Sequence, residues 1–271
     1  MKLKVHHKSA ISKNKTAVSP AISTVIITSI TIVLVLVAST YAYQILERSR
    51  GAAEFSTAKK AVMAINDAVE NIAWKQQSSR STHFVASYGI LELIPNALNL
   101  TVNVQVGANS QSTSFSTGII KYSTKIDYVN YGNGYKEYII GNESAIVSRS
   151  SESFGQALIE QQSDWIDIKL DFRACAMKTR EENVGGTTVT YVDVWIITLE
   201  IANRFGYKGE FDVTTRCKSV TATSIQFNTL EGQTAVVSAS FGEEWHSWTT
   251  PPLRSGVVVF NFIVSTVEVT V

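Results

Sequence analysis

The hydrophobic positions of this chain change rhythm twice. From Val18 to Ile45 there is no charged residue, and the run VSPAISTVIITSITIVLVLVASTYAYQI is apolar on every side. Its apolar core, Ala21 to Ala42, is 22 residues. At about 1.5 Å per residue that length crosses a hydrocarbon layer of about 30 Å. Ser19 is placed as an N-cap, and Pro20 fits the first helical turn, where its missing N–H costs nothing. The many Ile, Val and Thr residues do not oppose a helix in lipid, which forces the backbone to pair internally. A secretory signal carries a hydrophobic region of only about 7–15 residues. This run is longer, no A-x-A-type site follows it, and Tyr41 and Tyr43 stand where an interfacial aromatic belt would lie. The pattern predicts a membrane-competent helix over 18–46.

Beyond Gly51 the apolar positions become periodic. Phe55, Ala58, Val62, Ile65, Val69 and Ile72 are spaced as the a and d positions of a heptad, which predicts an amphipathic helical stalk over 47–78. Glu54, Lys59, Lys60, Asn66, Asp67, Glu70 and Asn71 are expected to face away, with a bend at Gly51. The stripe is suited both to packing on the rest of the chain and to meeting other helices.

After Ser78 the period falls to two. Leu91 to Val106 reads as extended, interrupted at Pro95-Asn96. Asp164 to Arg173 alternates, with Ile166, Ile168, Leu170 and Phe172 on a buried face and Asp167, Lys169, Asp171 and Arg173 on a solvated one. Trp195, Ile197, Leu199 and Ile201 line one face of another strand, whose Val194 and Ile196 make its second face apolar, so it is central. Gly256 to Val271 forms one or two long strands. Gly132-Asn133-Gly134, Gly185-Gly186 and Pro251-Pro252 are turn signals. The expected class is α+β: a long N-terminal hydrophobic helix, then an antiparallel β-sandwich head, immunoglobulin-like, over 79–271.

Charge adds an orientation. The chain carries 24 Lys and Arg against 23 Asp and Glu, a formal +1. Lys2, Lys4, Lys8, Lys13 and Lys15 precede the hydrophobic run with no acidic residue among them. A basic flank on that side places it in the cytoplasm and the head outside. Neither the net charge nor any basic patch interleaved with aromatics supports nucleic-acid binding. In an extracellular head Cys175 and Cys217 are candidates for a disulfide; two separate buried thiols are the alternative. Asn99-Leu100-Thr101 and Asn142-Glu143-Ser144 are sequons for N-glycans.

No chemistry stands out. His83 and His246 lack histidine or cysteine partners at metal-ligand spacing. Gly242-Glu243-Glu244-Trp245-His246-Ser247-Trp248 could bind a metal or do acid–base work, but reads better as a surface turn whose tryptophans pack on the sandwich. No phosphate loop, nucleophile elbow, zincin or dinucleotide motif occurs. The expectation is a non-enzyme without cofactor or metal.

The lysine-rich leader, small Ala17, Val18-Ser19-Pro20 and an unbroken hydrophobic helix with an aromatic exit resemble archaeal type IV pilins. Ala73-Trp74-Lys75 and Tyr88-Gly89 look similar to archaeal pilin-like proteins as well. The resemblance covers about the first 95 residues. Two positions depart from the pattern: Ile22 stands where bacterial pilins carry glutamate, and the junction lacks the common glycine. The resemblance implies a leader over 1–17 removed by a prepilin peptidase between Ala17 and Val18, and a homopolymer built through the freed helices. It also implies an assembly ATPase and a membrane platform protein as partners. Alternatives are a membrane-anchored binding or sensory ectodomain and an archaellin, against which Val18-Ser19-Pro20 argues.

Overall fold

The computed structural model describes residues 18–148 and 152–271, with side chains from Ile22 onward. Two compact units divide the chain, one ending at Arg48 and one running from Ser49 to Val271. Helix α1 (Val18–Ile72) is a single uninterrupted helix of 55 residues. No break interrupts the helix at Gly51. Gly51 instead lets the helix approach Tyr128 closely, for a Cβ added there would lie 2.4 Å from the Tyr128 ring.

Among the described residues twelve strands follow in one hydrogen-bonded network: β1 (Ser79–Val106), β2 (Asn109–Lys125), β3 (Lys136–Ile140), β4 (Ile146–Val147), β5 (Gly155–Gln161), β6 (Trp165–Phe172), β7 (Ala174–Val184), β8 (Thr187–Glu200), β9 (Phe205–Thr229), β10 (Ala235–Ser240), β11 (His246–Thr249) and β12 (Gly256–Thr270). Their order is β3-β5-β6-β2-β1-β9-β12-β8-β7-β4, with β10 paired to β1 and to β11. The class is α+β, but the sheet is mixed rather than purely antiparallel. Strands β8 and β9 are joined by a short link yet do not pair, because β12 enters between them. Running antiparallel to β9, β12 must run parallel to β8. A second parallel pair, β4 with β7, is two residues long. The pairings do not confirm the immunoglobulin-like antiparallel sandwich expected for the head.

Two cores divide the head unit. In the first, the stripe Phe55, Ala58, Val62, Ile65, Val69 and Ile72 packs on Phe84, Leu91, Ile120, Ile159, Ile168 and Leu199. The heptad spacing thus serves a helix laid on its own sheet. In the second, Leu100, Val102 and Val104 of β1 meet Val237 of β10, Val194 and Ile196 of β8, and Phe260 and Phe262 of β12. Strand β1 passes from one core to the other where Pro95-Asn96 interrupts it: the β1–β2 register slips between Ile94 and Leu98, and Asn96 adopts φ 47°. Strand β8 is central, as its two apolar faces predicted, and each face belongs to a different core. Gly185 and Gly186, both at positive φ, close the two-residue β7–β8 hairpin.

One predicted face is overturned. Ile166, Ile168, Leu170 and Phe172 are buried as expected, but so are Asp167 and Arg173, and Lys169 and Asp171 are half-buried. Strand β6 sits between β2 and β5, so its polar face looks onto neighbouring side chains rather than open water.

Candidate functional site: the apolar helix and the anchors of the head

From Ile22 to Leu46 the large hydrophobic side chains of α1 are 46–66% exposed, on all sides of the helix. A helix apolar all round is at home only where no side meets water, in lipid or among other apolar helices. Its hydroxyls are adapted to that setting. Thr28, Ser29, Thr31 and Thr40 each donate to the carbonyl four residues back, at 2.7–2.9 Å. With their protons bound inside the helix, these side chains need no outside partner. Tyr43 donates to Glu47, the first charged residue after the run, at 3.1 Å. The segment is long and apolar enough to cross a membrane, by length and composition.

The lower part of α1 is fixed to the head unit by polar anchors that sequence reasoning missed. Glu54 and Asn66 were expected to face away, and both are buried. The Glu54 carboxylate accepts the backbone N–H groups of Ser87, Tyr88 and Gly89 at 2.8–3.1 Å and the Tyr122 hydroxyl at 2.8 Å. These amides lie where β1 leaves its pairing with β9, so the side chain replaces a missing strand partner. Burial and the neighbouring Glu54 carboxylate raise the Tyr122 phenol far above its ordinary range. Further along, Glu70 accepts the Ser153 hydroxyl and the Gly155 N–H, while the Asn66 amide reaches Ser153 at 3.3 Å. A Cβ on Gly155 would strike the Asn66 side chain at 1.7 Å, so a larger residue there would displace Asn66. A signal was present: stepping back from Ala58 by four and then three residues gives Glu54 and Gly51, so the buried stripe runs on through them.

The cysteines do not pair. Both are buried free thiols, on β7 and β9, with β8 and β12 between them. Three strand spacings of about 4.8 Å put them well beyond disulfide reach. Cys217 caps the helix instead. Its thiol donates to the Ala73 carbonyl at 3.2 Å, and the Ser265 hydroxyl donates to the same oxygen. This satisfies a carbonyl that the helix end leaves open. Cys175 lies against Trp74 and Trp195, whose rings meet edge-on at 4.9 Å, and burial pushes its thiol up to about 11.

Of the other expected site residues, Ala17 lies outside the described residues. Val18, the first described residue, is already helical, so Ser19 lies inside the helix with Pro20 rather than capping it from outside. Asn99 is exposed on β1 opposite Ser116. Asn142 is exposed too, but its Oδ1 is occupied by the Ser144 N–H at 3.0 Å and by Arg173 at 2.8 Å. Arg173 is buried and also donates to the Ser153 carbonyl at 2.8 Å. His83 pairs with Asp212 at the surface, and His246 faces the Ala145 N–H at 3.5 Å, away from any second ligand. Trp248 packs on the second core, as the surface-turn reading expected, while Trp245 is exposed. Among the described residues no group of three or more His, Cys, Asp or Glu is arranged to hold a metal ion.

No protein-family model matches the chain, and neither does any curated protein or solved structure at a significant level.

Proposed function

We propose that this chain is the precursor of a structural subunit of an archaeal type IV pilus. A prepilin peptidase removes 1–17 between Ala17 and Val18. The freed helix then polymerises with its copies, driven by an assembly ATPase on a membrane platform, while the β head faces outward for adhesion or cell–cell contact. The observation that carries the reading is the helix from Ile22 to Leu46, apolar and exposed on every side, with the hydroxyls of Thr28, Ser29, Thr31 and Thr40 bonded internally. Such a surface passes from lipid into a bundle of like helices without ever meeting water. The same helix suits a second reading, an ectodomain anchored in the membrane that never polymerises.

Mass spectrometry of the native protein separates the two. The pilus reading expects a mature chain beginning at Val18, and Ala17→Glu is expected to block cleavage and abolish surface filaments. A native protein that retains Met1 to Ala17 would refute it.

A further inference from the structure

On the face of β1, β2 and β6 opposite the helix lies a cavity of about 230 Å³. Ser123 on β2 and Asp167 on β6 stand directly opposite each other in the β2–β6 register and both line it. They are only 7% and 6% exposed. The Ser123 hydroxyl and the Asp167 Oδ1 are each buried without a hydrogen-bond partner. Two adjacent unsatisfied polar groups are costly, and such groups in a native fold call for a ligand or water to complete them. At the lip stands Trp165, 38% exposed, with the Gln162 amide beside it.

The remaining wall is charged, and its formal charges balance only when Asp167 is counted with Glu92 against Lys121 and Arg204. Glu92 holds Lys121 at 2.7 Å and Arg204 at 3.3 Å. An anion entering the cavity would meet the Asp167 and Glu92 carboxyl groups, and the Lys121 ammonium that also lines it is already held by Glu92. A metal ion would find too few ligands, since no metal-holding group of His, Cys, Asp or Glu occurs among the described residues. What remains is a flat aromatic ring beside a carboxyl acceptor, a hydroxyl and an amide, in a space for one small ring. That set matches a neutral polyol with an apolar face and adjacent hydroxyls.

We propose that this cavity binds one neutral pyranose unit. The sugar ring lies on Trp165, and side-chain shifts that uncover the enclosed Asp167 and Ser123 oxygens let one hydroxyl donate to Asp167 and its neighbour exchange a hydrogen bond with Ser123. Polymerisation is not required, so the site stands whether or not the pilus reading holds.

The test uses the full chain in detergent micelles, unassembled, titrated by calorimetry with glucose, galactose, mannose and N-acetylglucosamine and with their methyl glycosides. At least one is expected to bind with a dissociation constant on the order of 1 mM, the scale for a ligand of this size. Preference for the glycoside identifies the end of a surface glycan as the source, and preference for the free sugar a soluble one; both sustain the proposal. Trp165→Ala and Asp167→Asn are each expected to weaken binding about tenfold or more. Asp167→Asn is expected to leave the melting temperature unchanged or higher, because the carboxyl it replaces has no partner for Oδ1. Trp165→Phe, which keeps a ring, is expected to retain most of the affinity. Absence of binding by every sugar at about ten times that concentration overturns the proposal. So does unchanged affinity in both weakening variants, whether or not the pilus reading survives its own test.

Discussion

Single residues in the head are governed by which polar groups the sheet encloses, and Asp171 is the sharpest case. Its Oδ1 is buried without a partner, and burial pushes its carboxyl up from 3.8 to about 7 against the opposing pull of Arg173 and Lys169. The folded protein therefore keeps this proton to about pH 7, whereas the unfolded chain releases it near pH 4. Proton binding is greater in the folded state across that window, so this residue's contribution is full below pH 4 and lost as pH rises to 7. Asp171→Asn is expected to remove that slope. The difference in melting temperature, variant minus wild type, should grow more positive from pH 4 to about pH 7 and level off above it. Thermal unfolding across that range measures it, and a flat difference would count against the assignment. Alternation along β6 placed its apolar side chains correctly and its polar ones wrongly. Period two separates the faces of a strand, but whether the second face meets water depends on neighbours distant in sequence. Glu54 shows the converse: its position on the helical stripe was readable, but the three amides that receive it belong to a break in β1.

Among the elements, α1 was the most legible because its two segments obey strong local rules: an uncharged run, then a 3.6-residue stripe. Gly51 invited a bend, since glycine in a helix interior costs about 1 kcal/mol relative to alanine. The structure gives it a different reason, the 2.4 Å approach to the Tyr128 ring. The two accounts predict opposite signs. If Gly51 were merely a weak helix former, Gly51→Ala would stabilise the protein. Here it is expected to destabilise by about 1–3 kcal/mol through overpacking, a fall of about 2–4 °C in Tm per kcal/mol for a unit of this size. Placed in a Tyr128→Ala background, the same substitution should raise Tm relative to Tyr128→Ala alone, because the helix gain returns once the ring is gone. Thermal unfolding of the four proteins decides it, and a rise in Tm for Gly51→Ala alone would sink the packing account. Strand β12 was equally plain as a β-branched run, but its partners were not. Nothing in residues 256–270 says that it inserts between β8 and β9, and that insertion makes the sheet mixed.

At the scale of the whole molecule, the chain combines two units with opposite demands on their surroundings. The segment up to Arg48 presents apolar side chains that the described structure leaves uncovered, whereas Ser49–Val271 encloses two cores of its own. The amphipathic end of α1 belongs to the second unit, because its stripe completes the first core and Glu54, Glu70 and the capped Ala73 carbonyl bind it there. Association should thus be a property of the first unit alone and folding a property of the second. A chain of residues 49–271 is expected to be soluble without detergent, to melt cooperatively within a few degrees of the full chain in micelles, and to remain monomeric in dilute buffer. The full chain, transferred from micelles to buffer, is expected to associate, since an uncovered apolar segment of this length gains roughly 25 cal/mol for each Å² it withdraws from water. Circular dichroism and sedimentation velocity on both chains read folding and association separately. An unfolded 49–271 would show that the head depends on residues 18–48 for more than anchorage. A full chain that stays monomeric in buffer would remove the hydrophobic helix as the seat of assembly.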